Sequence, residues 1–244
     1  MAPPTHRAHA GAHAILALTI IAPALLSAGD TDYVQVALVV GLLILSLGIH
    51  EAAHAWTAWR CGDSTAKDMG RMTLDPFAHI DLVWTILLPI VFFVSTGYAF
   101  GGAKPVPVDY RRLRKPARDM MLVALAGPAS NLVLAILFML IWKTLIFVNG
   151  MALDQLPVQV MKSAVFFNIL LAVFNMIPIP PLDGSRVVSF LLRGQAREAY
   201  AMFERFGFLL LMVLVFTGKL WPLIGPAMTT TFNVFFKITG GAWS

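Results

Sequence analysis

Long apolar runs with almost no charged side chains divide the sequence, and they constrain its fold more than any other feature. A helix needs about 20 mostly apolar residues to cross the hydrocarbon core of a bilayer. The apolar runs lie at 13–28, 34–59, 82–100, 120–142, 163–182, 206–218 and 220–236. The run at 206–218 is the shortest, and the run at 220–236 is interrupted by prolines and threonines. Only 13% of the residues are charged, against about 25% in soluble domains. We therefore predict an all-α polytopic membrane protein with about five or six transmembrane helices.

Lysine and arginine residues concentrate in three loops, and loops rich in these residues lie on the cytoplasmic side of a membrane. The three loops contain Arg60, Lys67 and Arg71; Arg111, Arg112, Arg114, Lys115 and Arg118; and Arg186, Arg193, Arg197 and Arg205. Only the run at 82–100 separates the first two loops, so a single crossing would place them on opposite sides. We therefore expect a short re-entrant or β-hairpin-like segment near 97–108, in which 101–108 returns as non-helical backbone. Such backbone is tolerated at membrane depth where protein or a water-filled cavity covers it.

Residues 50–54 read H-E-A-A-H inside the second apolar run. On a helix, positions i and i+4 share one face, so His50 and His54 can present imidazole nitrogens to one metal ion beside Glu51. The same pattern also arises by chance in soluble proteins. Within a bilayer, however, an ionisable side chain costs about 2.5–3.5 kcal/mol, and metal coordination would offset this cost. The location of the motif therefore favours a metal site, and its spacing suits zinc.

A catalytic zinc ion usually takes three protein ligands and leaves a fourth position for water. Asp183 is a candidate for the third ligand, because it follows an apolar run at the cytoplasmic end, where His50 and His54 are also expected. An Asp-Gly pair is a strong turn signal as well, so a simple turn residue is the alternative. His79 is a weaker candidate ligand, for which a cap or a carboxylate contact is the alternative.

Other residues near these motifs could act on a substrate. An exposed backbone edge can hold an unwound peptide by strand addition, and 101–108 is our candidate for that edge, with a plain returning loop as the alternative. Asn131 and Asn175 are interpreted as hydrogen-bond partners of the substrate backbone or of a ligand's second nitrogen. Polar contacts between helices are the alternative for both.

Three motifs together resemble the site-2 protease family of intramembrane zinc proteases. They are H-E-A-A-H at 50–54, L-A-G-P-A-S-N at 125–131 and F-N-M-I-P-I-P-P-L-D-G at 174–184. The resemblance covers roughly residues 34–200. It implies that His50, His54 and Asp183 bind one zinc ion per chain and that Glu51 activates water.

The resemblance also places Gly127 and Asn131 in the catalytic core of spans. We expect one integral-membrane protease domain over 1–244, in a compact form without an inserted PDZ or CBS domain. The run at 13–28 is interpreted as a retained span rather than a secretory signal. Cys61 is the only cysteine, which excludes an intramolecular disulfide.

These features predict an intramembrane zinc endopeptidase that cleaves transmembrane segments of other proteins by metal-activated water near the cytoplasmic face. The alternatives are a metal-ion transporter and a non-catalytic metal-binding membrane protein. A transporter would place ligands along a path across the bilayer, whereas this chain concentrates them near one face. The net charge of +5 is typical of basic loops beside membrane spans, and no motif indicates nucleic-acid binding.

Overall fold

The computed structural model describes residues 33–79, 87 and 106–240. Regular structure in this part of the chain is helical, apart from a single bridge residue at Val108. The helices are α1 (Tyr33–Arg60), α2 (Thr65–Asp68), α3 (Pro116–Phe147), α4 (Leu156–Asn175), α5 (Asp183–Leu191), α6 (Gly194–Phe216) and α7 (Leu220–Ile238), with a short 3-10 helix at Pro76–His79.

Four of the described helices, α1, α3, α4 and α6, are long and apolar enough to cross a membrane. They confirm the prediction of an all-α polytopic membrane protein. The expected spans at 13–28 and 82–100 lie outside the described residues, apart from position 87. Residues 97–105 of the expected re-entrant segment lie outside them too, whereas 106–108 is described and is not helical.

Helix boundaries differ from those of the apolar runs, because helical turns continue beyond the part of a helix that lipid covers. Helix α3 begins at Pro116, where proline is well tolerated because its missing N–H would be unpaired in the first turn anyway. Helix α6 begins at Gly194, well before the predicted run at 206–218. Its first turns carry exposed charged residues such as Arg197 and Glu198, which a search for apolar runs excludes.

Helices α1, α3 and α4 pack against one another, and α7 lies against α3 and α4. Their shared core includes Leu43 of α1, Met139 of α3, Leu170 and Phe174 of α4, and Ile224 of α7. Lipid tails are as apolar as these side chains, so burial alone gives little driving force between membrane helices. Close packing and hydrogen bonds between polar side chains therefore matter most in holding the core together.

The three basic loops lie at one end of the helical bundle. The backbone N–H of Arg114 donates to the carbonyl oxygen of Cys61 at 3.0 Å, which joins the end of α1 to the segment before α3. The guanidinium of Arg197, on α6, donates to the hydroxyl oxygen of Tyr110 at 3.4 Å. The loops thus share one side of the molecule.

A proline-rich turn at 176–182 separates α4 from α5. Proline disfavours helical backbone at the residue before it, and α4 accordingly ends at Asn175. Helix α5 begins at Asp183, and a Cβ atom added at the next residue, Gly184, would collide with the carbonyl oxygen of Met176. Only a residue without a side chain fits this close approach, which sets the position of Asp183 relative to the end of α4.

Candidate active site

Helix α1 presents the H-E-A-A-H segment to the interior of the bundle. His50, Glu51 and His54 are each no more than 1% exposed. His50 and His54 lie about one helical turn apart, so their rings meet on the same face of α1. Their Nε2 atoms are 3.0 Å from each other.

Asp183 approaches these two imidazoles from the start of α5. Its Oδ2 atom lies 3.3 Å from Nε2 of His50 and 3.4 Å from Nε2 of His54. The potential ligand atoms of the three residues all lie within 4.8 Å of one another. No other group of three such residues has this geometry within the described part of the chain. The structure therefore brings together the three residues that the sequence selected as metal ligands.

The second nitrogen of each imidazole has a hydrogen-bond acceptor next to it. His54 Nδ1 lies 2.7 Å from the carbonyl oxygen of Val123, and His50 Nδ1 lies 2.5 Å from Oδ1 of Asn131. Both partners accept, so each Nδ1 carries the proton and donates it. In the neutral imidazole the lone pair is then on Nε2, which is the form that binds a metal.

This donor set fits zinc. Two imidazole lone pairs and a carboxylate oxygen converge on one small volume, and a cation relieves the repulsion between them. Two nitrogen ligands and one oxygen ligand also match the three protein ligands of catalytic zinc sites. Gly127 of α3 lies against the Nε2 edge of both imidazoles, since a Cβ atom there would lie 2.5 Å from Nε2 of His50 and 2.5 Å from Nε2 of His54.

The carboxylate of Glu51 lies between helix α1 and the backbone of the segment that precedes α3. Oε2 accepts a hydrogen bond from the N–H of Val106 at 3.1 Å. Oε1 is buried and has no hydrogen-bond partner among the described residues. One oxygen of Glu51 is thus held in place by the backbone of this segment.

The segment around Val106 is fixed at its far end by Asp63. The buried carboxylate of Asp63 accepts hydrogen bonds from the backbone N–H groups of Thr65 at 3.0 Å and Asp109 at 2.7 Å. A hydrogen bond from the Arg111 side chain holds the pKa of the Asp109 carboxyl below its usual value. These contacts tie the segment at 106–109 to the end of α1 and so keep Val106 within reach of Glu51.

The remaining candidate residues have separate positions. His79 is buried, its Nε2 lies 3.1 Å from the carbonyl oxygen of Thr73, and it is not among the converging ligand atoms. Asn175 is buried at the end of α4. Asn131 contacts the second nitrogen of His50, which was one of the roles considered for it.

Sequence reasoning did not select Asn168 and Ser46, which continue the hydrogen bonds of Asn131 into α4 and α1. The available signal was their polarity inside apolar spans, because a polar group buried there needs a partner.

A helical membrane protein with an H-E-A-A-H segment and a converging aspartate in its interior has the architecture of a membrane-embedded metalloprotease. Comparison with known proteins gives the same class. The model for peptidase family M50 matches residues 37–155 and 144–214. This chain belongs to peptidase family M50, the site-2 protease family, and is a zinc metalloprotease.

Named relatives agree with this assignment. The "Putative zinc metalloprotease YwhC" of Bacillus subtilis is 34% identical over 206 residues, which cover 80% of this chain and 90% of the relative. Two proteins named Rip2, with the same description, are also similar. The Rip2 of Mycolicibacterium smegmatis is 32% identical, covering 75% of this chain and 68% of the relative. The Rip2 of Mycobacterium tuberculosis strain H37Rv is 35% identical, covering 70% and 63%. No solved structure gives a significant match.

Proposed function

We propose that this protein is an intramembrane endopeptidase that cuts transmembrane segments of other membrane proteins. In this proposal His50, His54 and Asp183 hold one zinc ion, and Glu51 is the general base. The observation that supports it best is the convergence of three ligand atoms beside a half-satisfied carboxylate, inside a bundle of membrane-length helices. A buried set of ionisable groups is costly within a membrane and is usually functional.

Zinc bound by these residues would supply a Lewis acid that lowers the pKa of water from about 15.7 to about 7 and polarises the scissile carbonyl. Glu51 accepts the proton of the attacking water at Oε1 and then passes it to the nitrogen of the leaving amine. The N–H of Val106 holds Oε2 and so keeps the carboxylate from rotating. Asn131 and the carbonyl oxygen of Val123 keep both imidazoles in the orientation that binds metal.

A transmembrane substrate must unwind before it can be cut, because its amides are hydrogen-bonded within the helix. Residues 106–108 are non-helical and lie beside Glu51. Val106 and Val108 are buried and pack in a cluster with Ala55 and Ala58 of α1, while Pro107 between them is partly exposed. This alternation is typical of extended backbone, and it supports the idea that an unwound peptide pairs with this segment.

We further propose that the active site lies near the cytoplasmic face. The basic loops are gathered at the end of the bundle where α1 ends and α3 begins. His54 precedes Arg60, the last residue of α1, by about 9 Å along the helix axis. The ligands thus lie shallowly below a strongly basic surface, which the positive-inside rule assigns to the cytoplasm.

Cleavage by purified protein tests the proposal. The full chain and its Glu51→Gln variant are reconstituted into liposomes with a single-span membrane protein as substrate. We expect the variant to retain zinc and to cleave about 10²–10⁴-fold more slowly, which is the usual contribution of a general base. The exposed Glu198 of α6 offers a matched control, and Glu198→Gln should cleave at the parental rate.

Two results would contradict the proposal. Equal cleavage by the Glu51→Gln variant would remove Glu51 from its role as the base. Zinc flux into the liposomes without proteolysis would favour a transporter.

A further inference from the structure

A chain of buried polar side chains leads from His50 across three helices. His50 Nδ1 lies 2.5 Å from Oδ1 of Asn131, on α3. Nδ2 of Asn131 donates to Oδ1 of Asn168, on α4, at 3.0 Å. Nδ2 of Asn168 donates in turn to Oγ of Ser46 and to the carbonyl oxygen of Ala164, at 3.0 and 2.9 Å. The four hydrogen-bonded side chains, those of His50, Asn131, Asn168 and Ser46, are each no more than 1% exposed.

The contacts of Ser46 and Ala164, at the far end of this series of hydrogen bonds, fix the direction of every hydrogen bond in the series. Ser46 donates its hydroxyl proton to the carbonyl oxygen of Leu42 at 2.8 Å, so its oxygen can only accept from Asn168. The carbonyl oxygen of Ala164 also can only accept. Two acceptors therefore face one end of the Asn168 amide, and that end must be the NH₂ group.

The same reasoning then runs from Asn168 back to the imidazole. Because the NH₂ group of Asn168 faces Ser46, its carbonyl oxygen faces Asn131 and requires a donor there. Asn131 meets this requirement with its NH₂ group and turns its own oxygen to His50. Nδ1 of His50 must then carry a proton, and in the neutral imidazole the lone pair is on Nε2.

We propose that Asn131 and Asn168 are positioning residues for the metal centre: together they hold His50 in the tautomer that can bind zinc. This inference rests on the proposed zinc site. If the Asn131 amide turned over, its NH₂ group would face Nδ1 of His50, and the proton would have to move to Nε2. A protonated Nε2 has no lone pair for a metal, so the orientation of the Asn131 amide on α3, which Asn168 of α4 sets, controls a ligand on α1.

His54 needs no second residue to orient its hydrogen-bond partner, because its Nδ1 faces the backbone carbonyl oxygen of Val123 directly. A backbone carbonyl cannot exchange its acceptor for a donor. An asparagine side chain can, and this is why the partner of His50 requires a second residue to set its orientation. The polar contacts between these helices therefore do more than hold α1, α3 and α4 together.

The test measures zinc affinity, by competition with a chelator, in the full-length purified protein and in variants of the two asparagines. Asn131→Leu removes the acceptor and should raise the Kd for zinc about 10–100-fold, which is the usual effect of losing the partner of a ligating histidine. Asn131→Asp keeps an acceptor at Nδ1, but its second oxygen then faces Oδ1 of Asn168 without a donor, so this variant serves as the background for a change at Asn168. Asn233 is exposed on α7, and Asn233→Leu serves as the matched control with unchanged affinity.

The decisive comparison concerns Asn168→Leu, a residue that does not contact His50. Alone, Asn168→Leu should weaken zinc binding, because the Asn131 amide is then free to turn over. Combined with Asn131→Asp, it should cause no further weakening of zinc binding, since both oxygens of a carboxylate accept and either one can face Nδ1. The visible spectrum of the cobalt-substituted protein should change in the variants that bind zinc more weakly than the parent and should be unchanged in Asn233→Leu.

Two outcomes would overturn the proposal that Asn168 and Asn131 hold His50 in its zinc-binding tautomer. Asn131→Leu binding zinc as tightly as the parent would do so. Equal weakening by Asn168→Leu with and without Asn131→Asp would also do so, because it would show an effect on packing alone. This comparison decides the question even if Asn131→Leu does not fold. The outcome is independent of the test of Glu51, which measures cleavage in protein that already holds zinc.

Discussion

Replacing Gly127 by alanine is the most direct test of the site geometry. A methyl group at this position would lie 2.5 Å from Nε2 of His50 and from Nε2 of His54. An ordinary van der Waals separation is about 3.5 Å, so the two rings would have to move away by roughly 1 Å. Metal–ligand distances tolerate deviations of about 0.2 Å. The displacement exceeds this tolerance several-fold, and we expect Gly127→Ala to lose its zinc.

The effect of Gly127→Ala on stability should be smaller than its effect on the metal. Overfilling a packed interior costs about 1–3 kcal/mol, whereas glycine to alanine in a helix otherwise gains up to about 1 kcal/mol. We therefore expect a folded protein with parental helix content and a lowered melting temperature. Gly41 of α1 has no atom within 4 Å of an added Cβ, and Gly41→Ala is the matched control that should keep its zinc.

Zinc content after dialysis, circular dichroism and proteolytic activity measured on the same preparations decide the matter. Gly127→Ala with one zinc per chain at the affinity of the parent would refute the reasoning, because the imidazoles could not then be where they are described. Loss of zinc from both glycine variants would instead show a general effect of replacing glycine in these helices.

Three further perturbations have clear expected outcomes. When free zinc is about 1,000 times the Kd of the site, removing it with a chelator should lower the free energy of unfolding by about 4 kcal/mol. Thermal unfolding with and without added zinc measures this change, and identical curves would argue against a bound metal. Gly184→Ala should reduce both zinc affinity and melting temperature, because the added Cβ meets the carbonyl oxygen of Met176 and displaces α5; parental zinc affinity would contradict this. Asp63→Ala removes the acceptor of the N–H groups of Thr65 and Asp109. It should destabilise the protein by about 1–3 kcal/mol for each N–H group left without an acceptor. A denaturant titration that shows an unchanged free energy of unfolding would contradict this.

The parts of the fold and site that could be predicted from the sequence are those set by local periodicity and composition. His50 and His54 are four residues apart on one helix, so their meeting follows from helix geometry alone. Asp183 lies far from them in sequence, and it was selected from its expected depth at the cytoplasmic end of an apolar run and from the resemblance to a known family. The apolar run at 163–182 extends beyond the end of α4 at Asn175, because the prolines that follow disfavour helical backbone.

Contacts between helices could not be predicted, because they depend on how the spans pack. Asn131 had several possible partners, and only the packing of α1 against α3 brings it to His50. Nothing in the local sequence connects Asn168 to Ser46, since the residues lie on different helices. The long first part of α6 was missed for a different reason: its charged turns lie outside the apolar run that was used to find it.

The origin of the proposed ligands in two distant parts of the chain has a consequence for biogenesis. The imidazole pair is made with α1, whereas Asp183 is made only when α5 begins. A nascent chain that has not yet reached α5 holds an incomplete donor set, and a chain that has reached it must still fold α5 back against α1. Under the proposed function, a chain that has not yet made α5 would therefore be inactive.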